Sequence, residues 1–220
     1  MAVYLPNGSK FFIASTFGAD KTFSSASNAA ACVLSFAADP GLAVGDIFEM
    51  TSGWEECNEN VYLVSAASGA GPYLVTVDGL NTSDTTVYPS GGGAGTVREV
   101  TAWTEITQVE NPAASGGEQQ FITYQTVAMS RERRLPGNRS AQDLKLTFFD
   151  DPSLAWYSTV QAAAADNQNL YPLKVELKSG ARIFSSGYWS LQKMPQMAAN
   201  TPMKADIDIS VANDITRYAS

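Results

Sequence analysis

Between Lys204 and Val211 the side chains alternate without interruption: Ala205, Ile207, Ile209 and Val211 are apolar, while Lys204, Asp206, Asp208 and Ser210 are polar. Successive side chains of a strand point to opposite faces, so a period of two gives one dry face and one wet face. Wound as a helix, the same residues would scatter their apolar groups around the axis. Residues 173–177 repeat the pattern, with Leu173, Val175 and Leu177 set against Lys174 and Glu176. Half-buried strands of this kind belong to an antiparallel sheet packed on one side.

Most of the remaining chain also reads as β. Residues 10–15 (KFFIAS) are a strand candidate. Four short runs follow at 31–36, 45–51, 60–65 and 73–80, separated by turn residues such as Asp39-Pro40-Gly41 and Gly69-Ala70-Gly71-Pro72. Short strands at such spacing predict a small barrel or sandwich. Residues 22–31, rich in Ser, Ala and Asn, read as a connector, and residues 89–95 (PSGGGAG) as a flexible hinge.

Beyond the hinge, residues 97–110, 119–129 and 143–149 are strand candidates. Residues 130–140 (SRERRLPGNRS) read as a basic loop that turns at Pro136-Gly137. Asp151-Pro152 predicts a helix start, with Asp as N-cap and Pro in the first turn. An apolar stripe of Trp156, Val160 and Ala163 carries the helix to about residue 165. Strands at 173–177, 181–191 and 204–211 complete the chain. The fold class is mainly β: an antiparallel sandwich or barrel with one packed helix, plus a small inserted β-domain.

Charge supports the insertion. Residues 20–93 hold nine acids and one base, whereas the whole chain of 220 residues holds 22 acids and 14 bases. The remainder is therefore neutral, with 13 of each (22 − 9 and 14 − 1), and the entire net charge of −8 sits in one segment. The expected division is a core of residues 1–22 and 94–220 around an inserted acidic unit of residues 23–93. Such asymmetry points to two parts with different tasks.

Several functions are excluded. A sequence-reading nucleic-acid binder needs a basic face, which an acidic chain does not supply. The chain contains no histidine, which rules out Ser-His-Asp and Cys-His catalysis. Two cysteines, Cys32 and Cys57, cannot complete a four-ligand zinc site without histidine, and read as buried thiols. No apolar run approaches the roughly 20 residues of a membrane span. The start, MAVYLP, lacks the charged and apolar regions of an export signal. No enzyme, cofactor or metal is expected.

Residues 140–211 run strand, short helix, three strands. The features that matter are the LKLTF strand, the helix opening at Asp151-Pro152, a strand ending in Lys178-Ser179-Gly180, the Tyr188-Trp189 pair, and a last strand entered through residues 199–203. This order resembles the tube-forming core of the siphophage major tail tube family, and residues 97–127, with Trp103, an expected loop at 111–117 and Tyr124, resemble its preceding strands. The acidic segment is similar to an insertion carried by some relatives.

The resemblance implies a virion protein assembled in the bacterial cytoplasm. It implies hexameric rings of this chain that stack into a conduit for DNA, with tail-tip initiator, tape measure and terminator proteins as partners. Within that frame Arg131, Arg133, Arg134 and Arg139 are candidate inter-ring contacts. Asp206 and Asp208 are candidate lumen-facing residues. The competing readings are another tail component, such as a tail-tip or terminator subunit, a β-rich binding module, and a hydrolase using carboxylates.

Overall fold

The computed structural model describes residues 7–219, so the segment read as lacking an export signal lies outside them. The strands, in chain order, are β1 (Lys10–Phe17), β2 (Lys21–Ala26), β3 (Val33–Phe36), β4 (Ile47–Ser52), β5 (Asn60–Ala67), β6 (Tyr73–Val77), β7 (Gly95–Ile106), β8 (Val109–Gly116), β9 (Gln119–Tyr124), β10 (Arg133–Arg139) and β11 (Gln142–Phe149). Helix α1 (Ala155–Ala165) precedes β12 (Tyr171–Glu176), β13 (Arg182–Leu191), β14 (Lys204–Val211) and β15 (Thr216–Tyr218). The fold is mainly β, with every named strand pair antiparallel.

The strands form two unlike halves that share β7. In the first, the order β2-β3-β6-β5-β4-β7 closes on itself because β2 also pairs with β7. This small barrel has its own core, built on Phe23, Leu34, Phe48, Met50, Trp54 and Val97. In the second, the order β7-β1-β12-β13-β14-β11-β8 stays open, and α1 lies against β13, β7 and β1. Its core joins Ile13, Leu146, Phe148, Trp156, Val160 and Ile207. Residues 95–99 of β7 pair with β4 in the barrel, and residues 100–106 pair with β1 in the open sheet.

The expected connector at 22–31 is partly strand β2. Only Phe23 of that strand is fully buried, so it lacks the alternation that marks a half-buried strand, and bonding from both neighbours holds it instead. The expected hinge at 89–95 is packed down. Trp54 Nε1 donates to the Pro89 carbonyl at 2.9 Å, and a Cβ on Gly93 would stand 2.7 Å from the Trp54 ring. Gly95 already pairs as the first residue of β7, where a Cβ would collide with the Thr51 carbonyl. These glycines admit a close approach, which is a different use from flexibility.

Helix α1 begins at Ala155, three residues later than the expected start at Pro152. Asp151 Oδ1 accepts instead from the backbone N–H and hydroxyl of Ser153, at 3.0 and 2.6 Å, making a local turn ahead of the helix. The stripe of Trp156, Val160 and Ala163 is buried as expected, and Trp156 Nε1 donates to Thr107 Oγ1 at 3.1 Å. Residues 111–117, expected as a loop, mostly belong to edge strand β8. Pro112 is tolerated there because an edge strand need not donate on both sides.

A third cluster welds the halves together. Phe184 and Tyr218 of the open half pack with Val61 and Leu63 of the barrel. The Tyr218 hydroxyl accepts from the Leu63 N–H at 3.2 Å and donates to the Asp78 carbonyl at 3.1 Å. Thr216 Oγ1 donates to the Val61 carbonyl at 3.0 Å, and Asn213 Nδ2 to the Glu59 carbonyl at 2.8 Å.

Candidate assembly surfaces

The arginine segment is a strand where the sequence indicated a loop. Arg133–Arg139 pairs with Gln119–Tyr124 as a two-stranded sheet of its own, and Pro136-Gly137 lies within the pairing where the register shifts. Only Arg131 sits in the connecting tip. Directly opposed residues of an antiparallel pair share a face. Ile122 with Leu135 and Tyr124 with Arg133 therefore occupy one face, and Phe121 with Pro136 and Thr123 with Arg134 the other. Arg133 and Arg134 point to opposite sides.

Both faces of this arm are bare. Phe121 is 56% exposed, Ile122 63%, Leu135 52% and Val127 fully exposed. An isolated two-stranded hairpin is marginal in water because it buries little apolar surface. The arm extends from the end of the sheet where Gly116 and Val211 flank Gln142. The chain enters the arm from β8, the terminal strand of the open sheet, which leaves one ladder edge unpaired among the described residues.

The polar face of β11 and β14 carries the two aspartates. Lys145 stands opposite Asp208 in register, yet its Nζ reaches the diagonal Asp206 at 2.9 Å and Asp208 only at 4.0 Å. Thr147 Oγ1 donates to Asp206 Oδ1 at 2.7 Å. Burial alone would raise the Asp206 carboxyl, but the hydrogen bonds from Thr147 and Lys145, with the lysine charge, outweigh it and hold the group below the ordinary range. The two candidates thus differ: Asp206 is buried and paired, whereas the Asp208 side chain is 60% exposed.

The barrel has a contrasting pair. Glu49 is buried and accepts from Arg98 Nη2 at 2.6 Å, while the Arg98 guanidinium lies 4.0 Å from the Phe17 ring centre. Here desolvation wins and raises the Glu49 carboxyl despite the arginine. Cys32 and Cys57 are free, buried thiols, each pushed up first by burial, Cys57 to about 11. Buried, protonated thiols are poor nucleophiles.

A cavity of about 710 Å³ in the open half is lined by Phe11, Ile106, Leu144, Leu173 and Val175 among others. Lys10, Glu105 and Gln142 also line it, and Lys10 pairs with Glu105 at 3.3 Å. The lining is that of an incompletely covered core. No helix among the described residues is long and apolar enough to cross a membrane.

Residues 52–220 match the profile of the family described as phage tail tube protein, TTP, which covers more than half of the chain. The chain belongs to the phage tail tube protein family. Among solved structures it is similar to the anti-feeding prophage cap, a tube terminating cap seen by cryo-EM. The identity is 16% and the TM-score 0.37, over 53% of this chain and 83% of that one. None of the curated proteins matches it.

As a tail tube protein the chain is a structural component of a phage tail, and its surfaces are to be judged by what they can join. The four arginines are brought onto one arm, but divided between its faces and tip. The apolar residues between them, Phe121, Ile122 and Leu135, were not singled out in the sequence. The available signal was that Gln119–Tyr124 has the pattern of a strand, and a strand leaving a sheet needs a partner.

Proposed function

We propose that six copies of this chain close into a ring and that rings stack into a siphophage tail tube, the conduit through which the genome passes into the host. The tube would start on a tail-tip initiator, surround a tape measure protein and end at a terminator, with assembly in the host cytoplasm. Family membership supports a tube subunit. The observation that carries the assembly reading is the unsatisfied side of the open half: a β8 edge unpaired among the described residues, leading into an arm bare on both faces. Edges left open in one copy invite pairing with another, and closure of the ring removes them.

Within this reading the inserted unit of residues 23–93 lies on the outer wall, and the β11–β14 polar face lines the lumen. Asp208 is then the exposed acid repeated around the wall, while Asp206 holds Lys145 in place. An acidic wall repels DNA phosphate within a Debye length of about 8 Å at physiological salt. Asp208→Lys should slow DNA ejection without preventing assembly, and an unchanged ejection rate rejects the lumen assignment.

The arginines belong to the stacking contact. About 0.5 kcal/mol per exposed ion pair, repeated around a six-fold ring, sums to roughly 3 kcal/mol if the sites act independently. Arg133→Glu with Arg134→Glu should shorten tubes, and raised salt should do the same to the unmutated protein. Negative-stain microscopy of the purified chain tests the whole reading: tubes of one width are expected at high concentration or with an initiator. A chain that remains monomeric under both conditions overturns it.

A further inference from the structure

The open half carries a second exposed apolar feature, at the end opposite the arm. Residues 192–203, between β13 and β14, hold Met194, Met197 and Met203, which are 72%, 70% and 48% exposed. The loop is tied rather than loose: Gln192 N–H donates to the Asp206 carbonyl at 2.9 Å and Gln196 N–H to the Lys204 carbonyl at 2.7 Å. Exposed methionines make an adaptable surface, because an unbranched thioether can repack against many shapes.

The register fixes the geometry. Gln142 pairs with Val211 and Gly116 at the arm end, whereas Phe149 pairs with Lys204 at the methionine end. The eight residues of β11 put these ends seven steps apart, which at about 3.3 Å per step is roughly 23 Å. The two apolar patches therefore cannot cover each other within one copy.

Charge gives the patches complementary characters. The arm segment, residues 117–140, contains Arg131, Arg133, Arg134 and Arg139 against Glu118 and Glu132, a net +2 (4 − 2). At the other end Asp150 N–H donates to the Met203 carbonyl at 3.0 Å, which sets Asp150 and Asp151 beside the methionines. Hydrogen bonds from the Ser153 hydroxyl and N–H hold the Asp151 carboxyl below its ordinary range, and so ionised. The nearby cations are Lys193 on the loop and Lys204, whose charge is taken by Glu110 at 2.7 Å.

We propose that the methionine loop, with Asp150 and Asp151, is the receptor for the arm of a second copy, the Ile122–Leu135 face meeting the methionines and Arg133 meeting the aspartates. The inference rests on the self-assembly reading and names its docking partner surface by surface. Two different patches on opposite ends of one chain make a heterologous contact. Such a contact closes into a ring where its rotation closes and runs on as an open filament where it does not. Directed from one ring to the next it does not close, so each ring presents a fresh receptor to the next arm.

Cysteine pairing tests this in the full-length chain. Ile122→Cys with Met197→Cys places thiols at two exposed sites, while the native Cys32 and Cys57 stay buried. Mild oxidation should give a ladder of disulfide-linked multimers, and neither single variant should. Mixing the two single variants should give a linked heterodimer. Independently, Met194→Lys with Met197→Lys should raise the critical concentration for tube formation by about tenfold or more, with the monomer's unfolding transition unchanged. Tubes that form normally without any Ile122–Met197 link overturn the receptor assignment and leave self-assembly standing. No tubes and no link, in well-folded protein, overturn both.

Discussion

The barrel and the open sheet are built from the same kind of strand, yet they solve the edge problem in opposite ways. The barrel closes through the β2–β7 pairing and encloses Phe23, Phe48 and Trp54. The open half ends on β8 and sends out an arm with Phe121, Ile122 and Leu135 in the open. One half closes within a single copy, and the other, on the assembly proposed above, is completed by its neighbours. The contrast separates residues that keep the chain folded from residues proposed to join chains, and each class should fail in its own way when mutated.

The largest separation is expected between Trp54 and Ile122. Trp54→Ala empties a buried site, loses the Pro89 bond and uncovers Gly93. It should cost about 3–5 kcal/mol in urea unfolding. Ile122→Asp lies on an exposed strand and should stay within about 0.5 kcal/mol of the parent, while reducing tube formation. If Ile122→Asp unfolds the monomer, or Trp54→Ala leaves its stability intact, the contrast between the halves is wrong.

The weld between the halves comes next. Tyr218→Phe keeps the ring against Phe184 and removes the hydroxyl's bonds to Leu63 and Asp78. The expected loss is about 1–2 kcal/mol, with exchange of the Leu63 amide sped up. It also bears on the barrel as a separable unit. Deleting residues 31–93 strips the cover from Phe184 and Tyr218, so a deletion that tolerates this should need polar replacements there to stay soluble.

Acid should act on the two buried carboxylates with opposite sign. Glu49 is raised in the folded state, so its favourable contribution is complete below the ordinary glutamate value of about 4.3 and is lost as pH rises through the folded value. Asp206 is lowered, so its contribution is present above the ordinary aspartate value of about 3.9 and is lost as pH falls through the folded value. Glu49→Gln should flatten the first limb of a stability–pH curve and Asp206→Asn the second. Identical curves for both variants would mean that burial and pairing weigh equally at the two sites. The smallest effect belongs to the exposed Lys10–Glu105 pair, where Lys10→Ala should cost no more than about 0.5 kcal/mol by thermal melting.

Strands with one clean dry face were plain in the sequence: Ala205, Ile207, Ile209 and Val211 alternate and are all buried. The helix stripe was equally plain, because Trp156, Val160 and Ala163 share one side. What escaped was structure held by hydrogen bonds without an apolar face of its own. β2 has only Phe23 buried, β8 carries Pro112 on an edge, and β10 is a run of arginines with Pro136-Gly137 inside it. Each is specified by its neighbours in space, which a pattern along the chain does not encode. The seam at Tyr218 was invisible for the same reason, since its partners Leu63 and Asp78 lie far away in sequence.

Strand β7 belongs to both halves, and this gives the subunit a mechanical character. Its hydrogen bonds to β4 and β1 run across the strand, as in any antiparallel ladder. A pull along its axis loads those bonds together in shear, whereas a pull at right angles opens them one after another. Stretching a subunit along β7 therefore meets the resistance of a tie rod anchored in two separate cores, and prying the barrel sideways meets that of a zip. A filament built from such subunits resists stretching most when the stiff direction of each subunit lies along the load.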